Sequence, residues 1–137
     1  MSDIKEILQT AGLKSTAPRI AILETILKTK KPMSALDMHG ALCKKGIDLV
    51  TIYRTLASFE KAEIVKRLDL RKDAVFYELN GKHHHHIVCT NCGDMEDFET
   101  CDMENLSKKI AGRAKKFKTV SQHSLELFGL CNACVKG

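Results

Sequence analysis

The stretch HHHHIVCTNC, residues 83–92, decides how the chain is organised. Its four consecutive histidines lead through two apolar residues into a Cys-x-x-Cys pair, and a second such pair stands near the end of the chain. Two thiolate pairs at this spacing are typical of a tetrahedral structural zinc site, with each sulfur about 2.3 Å from the metal. Two disulfides or a redox dithiol are the alternatives, although the chain lacks the βαβ pattern that accompanies the redox motif. The predicted zinc ligands are Cys89, Cys92, Cys131 and Cys134.

The four histidines are predicted to serve two different sites. If residues 83–88 form a strand, the side chains of His83 and His85 lie on one face and those of His84 and His86 on the other. Two pairs on two faces imply two metal sites, whereas a purification tag would stand at a terminus. Imidazole combined with carboxylate suits iron, zinc, manganese, nickel or copper. The residues that are candidates to complete these sites are Glu78, Asp97, Glu104 and His123. The alternatives are an ordinary solvated acid for each carboxylate and a packed core residue for the histidine.

The distribution of charge indicates a polyanionic partner for the first part of the chain. The net charge is +5, with 15 Lys and Arg against 10 Asp and Glu in residues 1–82, and seven of each in residues 83–137. Such a basic surface favours nucleic acid, and an ordinary solvated surface is the alternative. No apolar run approaches the roughly 20 residues that span a bilayer, and the charged N-terminus does not resemble a signal peptide. We therefore expect a cytoplasmic location, where paired cysteines serve as metal ligands more readily than as disulfides.

The first part of the chain predicts a winged helix-turn-helix. Four helices are predicted. The first, third and fourth cover about residues 3–11, 35–45 and 50–62. The second is capped by Thr16 and faces inward through Ile20, Leu23, Ile26 and Leu27. Ser34, with Asp37 three residues later, resembles a capping box at the start of the third helix. The β-prone runs IVKRLDL and AVFYEL, separated by RKD, then predict a hairpin. Helices followed by a two-stranded ribbon make up this fold.

The fourth predicted helix has the pattern expected of a DNA-reading element. Ile52, Leu56 and Phe59 fall on one apolar stripe, while Arg54 and Lys61 project from the opposite side among small residues. A cationic face with little bulk around the charge can approach a groove closely. An ordinary solvated helix face is the alternative, and the charge asymmetry together with the wing favours DNA recognition.

The second part of the chain predicts a mixed arrangement of strands and one helix. The tripeptide NGK at residues 80–82 indicates a hinge. Beyond it we expect a helix at about 102–116, and a strand over TVSQHSLELFGLC in which His123 shares a face with Leu125 and Leu127. The predicted fold class is therefore α+β.

Three segments follow from this pattern. They are a winged-helix DNA-binding domain at 1–79, the hinge, and a metal-binding domain at 83–137 that carries the structural zinc. Cys43 is expected to be a small core residue of a helix, and no role is assigned to Cys101.

With these pieces in place, the sequence resembles the ferric uptake regulator (Fur) family over nearly its whole length. The matching stretches are AGLKSTAPRIAILE, VTIYRTLASFEKAEIV, YELNGKHHHHIVCTNCG, HSLELFGLC and the final Cys-x-x-Cys pair. The resemblance implies a metal-dependent DNA-binding repressor rather than an enzyme. It also implies an N-terminal winged helix and a C-terminal α/β dimerisation domain, so that a homodimer or tetramer binds double-stranded operator DNA. Its implied cofactors are structural Zn(II) and a second, regulatory divalent metal, Fe(II), Zn(II) or Mn(II).

The resemblance also implies a role for particular residues. The residues implied to contact DNA are Lys14, Arg19, Tyr53 and Arg54. The implied ligands of the structural zinc are Cys89, Cys92, Cys131 and Cys134. The implied ligands of the regulatory metal are Glu78, His84, His86 and Asp97. The implied ligands of a further metal site, inside the dimerisation domain, are His83, His85, Glu104 and His123. One departure is that Lys31 or Pro32 stands where the family's regulatory site usually takes another histidine.

The expected mechanism is corepression, in which metal held around the hinge fixes the spacing of two recognition helices. Zinc-responsive and peroxide-responsive regulation are the alternatives within the same family. A small zinc-dependent hydrolase is a more distant alternative, but the chain has no HExxH, GxSxG or P-loop pattern. A hydrolase would also leave the basic winged part of the chain unexplained. A metal store built on the histidine cluster is another alternative, and it predicts several weakly bound, labile metals and no sequence-specific DNA binding.

Overall fold

Two units make up the structure, Met1–Gly81 and Lys82–Gly137. The computed structural model describes residues 2–29, 31–81, 83–99 and 101–136. The helices of the first unit are α1 (Ser2–Thr10), α2 (Ala17–Lys28), α3 (Ala35–Leu42) and α4 (Leu49–Lys61), and its strands are β1 (Met33–Ser34), β2 (Val65–Leu68) and β3 (Phe76–Leu79). The elements of the second unit are β4 (His85–Cys89), β5 (Met95–Phe98), α5 (Met103–Arg113), β6 (Glu126–Gly129) and α6 (Asn132–Lys136). The predicted α+β fold is confirmed.

The helices of the first unit begin where side-chain oxygens can accept their unpaired N–H groups. Thr16 Oγ1 accepts from the Arg19 N–H at 3.4 Å at the start of α2. The predicted capping box of α3 is confirmed, since Ser34 and Asp37 each accept from the other's backbone N–H at 3.1 Å. Asp48 Oδ1 accepts from the backbone N–H of Thr51 in the first turn of α4 at 2.8 Å, a cap that was not predicted.

The core of the first unit lies among its four helices. Ile52, Leu56 and Phe59 of α4 are fully buried, as predicted. Leu27 was expected to face inward, but it is 40% exposed. The buried arc of α2 is centred near Ile22 and Ile26, and consecutive helical residues point about 100° apart, which carries Leu27 away from the core.

Strands β2 and β3 form the predicted antiparallel hairpin, in which Lys66 pairs with Glu78. The two-residue strand β1, which was not predicted, joins the other side of β3 and gives the sheet order β1-β3-β2. Cys43 was expected in the core of a helix, but it is exposed. The reason is that α3 ends at Leu42 and a 3-10 turn then leads to Gly46, whose φ of 76° ends the helical segment.

The second unit is built on a three-stranded sheet with β4 in the centre. Strand β5 pairs with β4 in antiparallel fashion and β6 pairs with it in parallel, so His86 lies between Asp97 and Glu126 in the register. The predicted strand over TVSQHSLELFGLC is wrong for most of its length, because only Glu126–Gly129 pair with a neighbour. His123 and Leu125 precede this strand.

The helix predicted at about 102–116 is observed as α5 and ends earlier, at Arg113. Its apolar residues Leu106 and Ile110 are exposed in the single chain, and so is Phe117 beyond its end. Among the described residues, no helix is both long and apolar enough to cross a membrane.

Candidate metal centres and nucleic-acid interface

Helix α4 presents one cationic face to solvent because its other face forms the core. The exposed positions recur at helical spacing and are Val50, Tyr53, Arg54, Ala57 and Lys61. Tyr53 is half exposed, and the small Ala57 leaves space beside Arg54. The helix is held firmly, since Ile52, Leu56 and Phe59 anchor it from beneath. Such a face can enter a groove while its charges reach phosphates or base edges.

Lys14 and Arg19, the two other predicted DNA contacts, are joined to each other in the segment that leads into α2. Arg19 Nη1 donates to the backbone oxygen of Lys14 at 3.1 Å. The Lys14 side chain is exposed, and the Arg19 side chain is partly buried. This bond fixes the direction of the guanidinium group and leaves the ammonium group of Lys14 in solvent.

The four predicted zinc cysteines come together in the second unit, where they form what we call the four-cysteine cluster. One sulfur from each of Cys89, Cys92, Cys131 and Cys134 lies within 4.8 Å of the others. The Sγ atoms of Cys92 and Cys131 are 3.8 Å apart. A tetrahedron with metal–sulfur bonds of about 2.3 Å has edges of about 3.8 Å, so the arrangement fits zinc.

The backbone around the four-cysteine cluster is shaped to hold thiolates. Gly93, directly after the first Cys-x-x-Cys pair, has a φ of 80°, which L side chains rarely adopt. The backbone N–H groups of Cys131 and Cys92 donate to the Cys89 sulfur and lower its pKa to about 6. At Cys92, a backbone N–H from Asp94 lowers the pKa, but the neighbouring thiols of Cys89 and Cys131 outweigh it and raise the pKa to about 11. The crowding of sulfurs therefore favours a cation at their centre.

A second cluster brings together His83, His85, Cys101 and His123, with one donor atom from each within 4.8 Å of the others. His83 and His85 point the same way, with ring centroids 4.6 Å apart. The ring centroid of His123 lies 4.9 Å from that of His83 and 5.2 Å from that of His85. Cys101, to which no role was assigned, thus lies among three predicted ligands.

The structure does not bring Glu104 into this cluster. Its side chain is 85% exposed and lies beside Lys108, whose Nζ is 3.8 Å from Glu104 Oε1. Glu104 does line the same open cavity of about 650 Å³ that His83, Cys101 and His123 line. The sequence could not favour Cys101 over Glu104, because both stand close to the start of a predicted helix.

On the other face of β4, His86 lies between two carboxylates. Its Nε2 is 3.4 Å from Asp97 Oδ1 and its Nδ1 is 3.5 Å from Glu126 Oε2, and only 1% of its side chain is exposed. The His84 ring lies beside it, with centroids 4.9 Å apart. Asp97 was a predicted ligand, whereas Glu126 was missed. Two neighbouring imidazoles with a carboxylate beside one of them suit a divalent metal. The negative charge of Glu126 near the far ring nitrogen of His86 favours a proton on Nδ1.

Glu78, the remaining predicted ligand of this set, belongs to the first unit. It lies on β3, and Lys66 Nζ is 3.3 Å from its Oε1 across the hairpin. At the position where the resemblance would call for a further histidine, Lys31 is exposed and Pro32 is buried.

Comparison with known proteins gives a consistent result. A family model described as the ferric uptake regulator family matches residues 10–128. The ferric uptake regulation protein of Bordetella parapertussis is 38% identical over 141 residues, covering 100% of this chain and 99% of that protein. The structure of the ferric uptake regulator from Francisella tularensis with iron has a TM-score of 0.76 at 36% identity, covering 90% of this chain and 96% of that one. The ferric uptake regulator from Pseudomonas aeruginosa with manganese has a TM-score of 0.75 at 31% identity, covering 94% and 98%.

Proposed function

The chain belongs to the ferric uptake regulator family, and we propose that it is a metal-responsive DNA-binding repressor that controls iron or another divalent metal. The observation that carries the proposal is His86, a buried imidazole with a carboxylate near each ring nitrogen and His84 beside it. This arrangement suits a divalent metal, and it is separate from the four-cysteine cluster. We expect the protein to act in the cytoplasm, where it would meet its operator DNA.

The chemistry of the donors divides the metal roles. The four-cysteine cluster supplies only sulfur donors, which suit a permanent structural zinc. His84, His86 and Asp97 supply nitrogen and oxygen donors, which suit a regulatory Fe(II), Mn(II) or Zn(II). Glu78 is proposed as a further regulatory ligand on the resemblance alone. The family's usual extra histidine is replaced in this chain, so this set works with four protein ligands or fewer.

DNA binding is proposed to use the exposed face of α4. Tyr53 and Arg54 would read the groove, while Lys14 and Arg19 would contact phosphates. In the sequence, Glu78 precedes residues 80–82 and His84 follows them, so ligands from both sides would order this segment when metal is held. The ordering cost of DNA binding then falls, and by linkage DNA tightens metal binding by the same factor.

A homodimer is proposed from the apolar residues that the second unit leaves in solvent. Ile87 and Leu127 are partners on adjacent strands, and both are more than a third exposed. Leu106 and Ile110, one turn apart on α5, are about half exposed. Apolar groups in this number are typical of an interface rather than of a solvated surface. Two recognition helices would then meet half-sites about 34 Å apart or a multiple of this distance.

The test is DNA binding by protein that retains its structural zinc. An operator is selected from a random duplex pool, and affinity is measured by fluorescence anisotropy without oxygen during separate titrations with Fe(II), Mn(II), Zn(II) and Ni(II). We expect tightening by at least tenfold with the effector metal, as for couplings of about 1.4 kcal/mol or more. A duplex of scrambled sequence is the control. Equal binding in every titration, with structural zinc still present, would rule out metal-responsive repression.

A further inference from the structure

We propose that Cys101, and not Glu104, is the fourth ligand of the metal site that contains His83, His85 and His123, and that its thiolate makes this site select zinc. The inference goes beyond the proposed function, because the resemblance assigns Glu104 as the fourth ligand and gives Cys101 no role. It concerns which metal each face of β4 selects, and it holds or fails independently of DNA binding.

Four of the six separations between donor atoms lie within about 0.4 Å of the edges of a zinc tetrahedron, and all six are below 4.8 Å. With bonds of about 2.0–2.1 Å to nitrogen and about 2.3 Å to sulfur, the edges are roughly 3.3 Å between two nitrogens and roughly 3.6 Å between nitrogen and sulfur. His85 Nε2 lies 3.0 Å from His83 Nε2 and 3.4 Å from His123 Nε2. Cys101 Sγ lies 3.2 Å from His85 Nε2 and 3.6 Å from His123 Nε2. All three imidazoles therefore present the same ring nitrogen to one point, and the sulfur occupies the remaining corner.

The fold holds these donors in place from separate segments. His85 begins β4, is only 5% exposed, and packs against the Phe98 ring at a centroid distance of 5.6 Å. Cys101 lies in the link from β5 to α5, and His123 lies in the segment that leads into β6. His83, just before β4, brings its Nε2 within 3.0 Å of His85 Nε2, so four donors from three segments converge without a carboxylate.

The alternative ligand, Glu104, is directed elsewhere. It stands in the first turn of α5, where its carboxylate pairs with Lys108 and remains mostly in solvent. It lines the same cavity and would have to leave this position and turn inward to reach the imidazoles. The thiolate of Cys101 needs no such rearrangement.

The change from carboxylate to thiolate alters which metal is preferred. Either donor brings one negative charge, so the total charge does not discriminate between metals. Sulfur is the softer donor, and it favours zinc over Fe(II) and Mn(II), for which oxygen ligands are better suited. His83, His85 and His123 therefore hold zinc, whereas His84, His86 and Asp97 bind the regulatory metal. The wild-type chain would carry two permanent zinc ions beside its effector.

The first experiment counts zinc in the full-length protein. Wild-type protein and three variants, Cys101→Ser, Glu104→Gln and Cys43→Ser, are dialysed against a zinc buffer, and bound zinc is measured by mass spectrometry. We expect one zinc ion fewer per chain in Cys101→Ser than in wild type, Glu104→Gln and Cys43→Ser, whether or not the regulatory site also takes up zinc. Cys43→Ser is the matched control, because this cysteine is exposed and lies in the first unit.

The zinc affinity of the second site should fall in Cys101→Ser by more than the roughly 10–100-fold typical of losing an outer-shell partner. In the same proteins, Co(II) substitution should give a near-ultraviolet thiolate-to-cobalt band whose second-site component is absent only in Cys101→Ser. Loss of zinc in Glu104→Gln with retention in Cys101→Ser would overturn the proposal, and so would retention in both.

A measurement on unmodified protein removes dependence on the folding of any variant. Zinc X-ray absorption of the wild-type protein with two zinc ions should show, summed over the two ions, five sulfurs and three imidazole nitrogens, of which four sulfurs come from the four-cysteine cluster and one comes from Cys101. Four sulfurs and four lighter donors would instead show that Cys101 is not a ligand. Neither result depends on DNA, so failure here is distinguishable from failure of the proposed repressor function.

Discussion

Replacement of Glu126 by alanine should lower the affinity of the protein for its regulatory metal without disturbing either zinc site. Glu126 faces Nδ1 of His86 across the parallel pairing of β6 with β4. The negative charge of the carboxylate favours a proton on Nδ1, which leaves Nε2 for the metal, and it stabilises the positive charge that ligation develops on the ring. Without it, His86 must adopt this tautomer unaided within a buried site.

The size of the effect follows from this contact. The contact is electrostatic, since Nδ1 and Oε2 are 3.5 Å apart and form no hydrogen bond with each other, and we expect its loss to cost about 1.4–2 kcal/mol of metal binding. About 1.4–2 kcal/mol corresponds to roughly 10–30-fold in metal affinity. This lies within the roughly 10–100-fold range found for outer-shell partners of metal-binding histidines.

The assay is competition between the protein and a chelator for Fe(II) or Mn(II) without oxygen, with zinc content checked before and after. Glu96→Ala is the matched control, because Glu96 is an exposed acid on β5 and its loss changes the net charge equally. Glu126→Gln, which keeps an oxygen acceptor, should fall between wild type and Glu126→Ala. Equal affinities for Glu126→Ala and Glu96→Ala would refute the role assigned to Glu126.

Three further predictions concern the DNA-facing helix, the core and the oligomer. If Arg54 reads a base, Arg54→Ala should weaken operator binding by about 1–3 kcal/mol, and if it contacts a phosphate, the slope of log affinity against log salt concentration should fall by about 1. Fluorescence anisotropy over a series of salt concentrations measures both, and an effect no larger than that of Arg113→Ala would contradict the assignment. Phe59→Ala should lower the free energy of unfolding by about 3–5 kcal/mol in denaturant titration, because its fully buried ring leaves a cavity. The exposed Val50→Ala on the same helix should change it by about 0.5 kcal/mol or less, and similar values for the two would disprove the packing argument. Ile110→Glu should convert the dimer to a monomer, because it places a charge in the proposed apolar interface. Light scattering measures the mass, and an unchanged mass would exclude this part of α5 from the interface.

The features that were predictable from the sequence depend on short separations along the chain. The capping box of Ser34 and Asp37 needs only three residues, and the buried stripe of α4 follows from helical spacing. The four-cysteine cluster joins distant pairs, but each Cys-x-x-Cys pair is itself a local signal. Strand alternation was sufficient to separate His83 and His85 from His84 and His86.

The features that were missed depend on tertiary pairing. Glu126 reaches His86 only because β6 lies parallel to β4, and no local pattern specifies this register. Cys101 joins three histidines because the segments before α5 and before β6 meet there, which a spacing of 16 residues from His85 does not reveal. Leu27 and Cys43 were misjudged because helical periodicity gives a face but not the direction of the core or the helix end.

The number of residues in β4 determines which metal site each histidine side chain reaches. Because side chains alternate with a period of two, inserting or deleting one residue just before Cys89 would exchange the surroundings of all four histidines together. A point substitution, in contrast, changes the donors on one side only. Natural variation in metal preference should therefore arise by replacing residues within this run, while its length stays fixed by the Cys-x-x-Cys pair that follows.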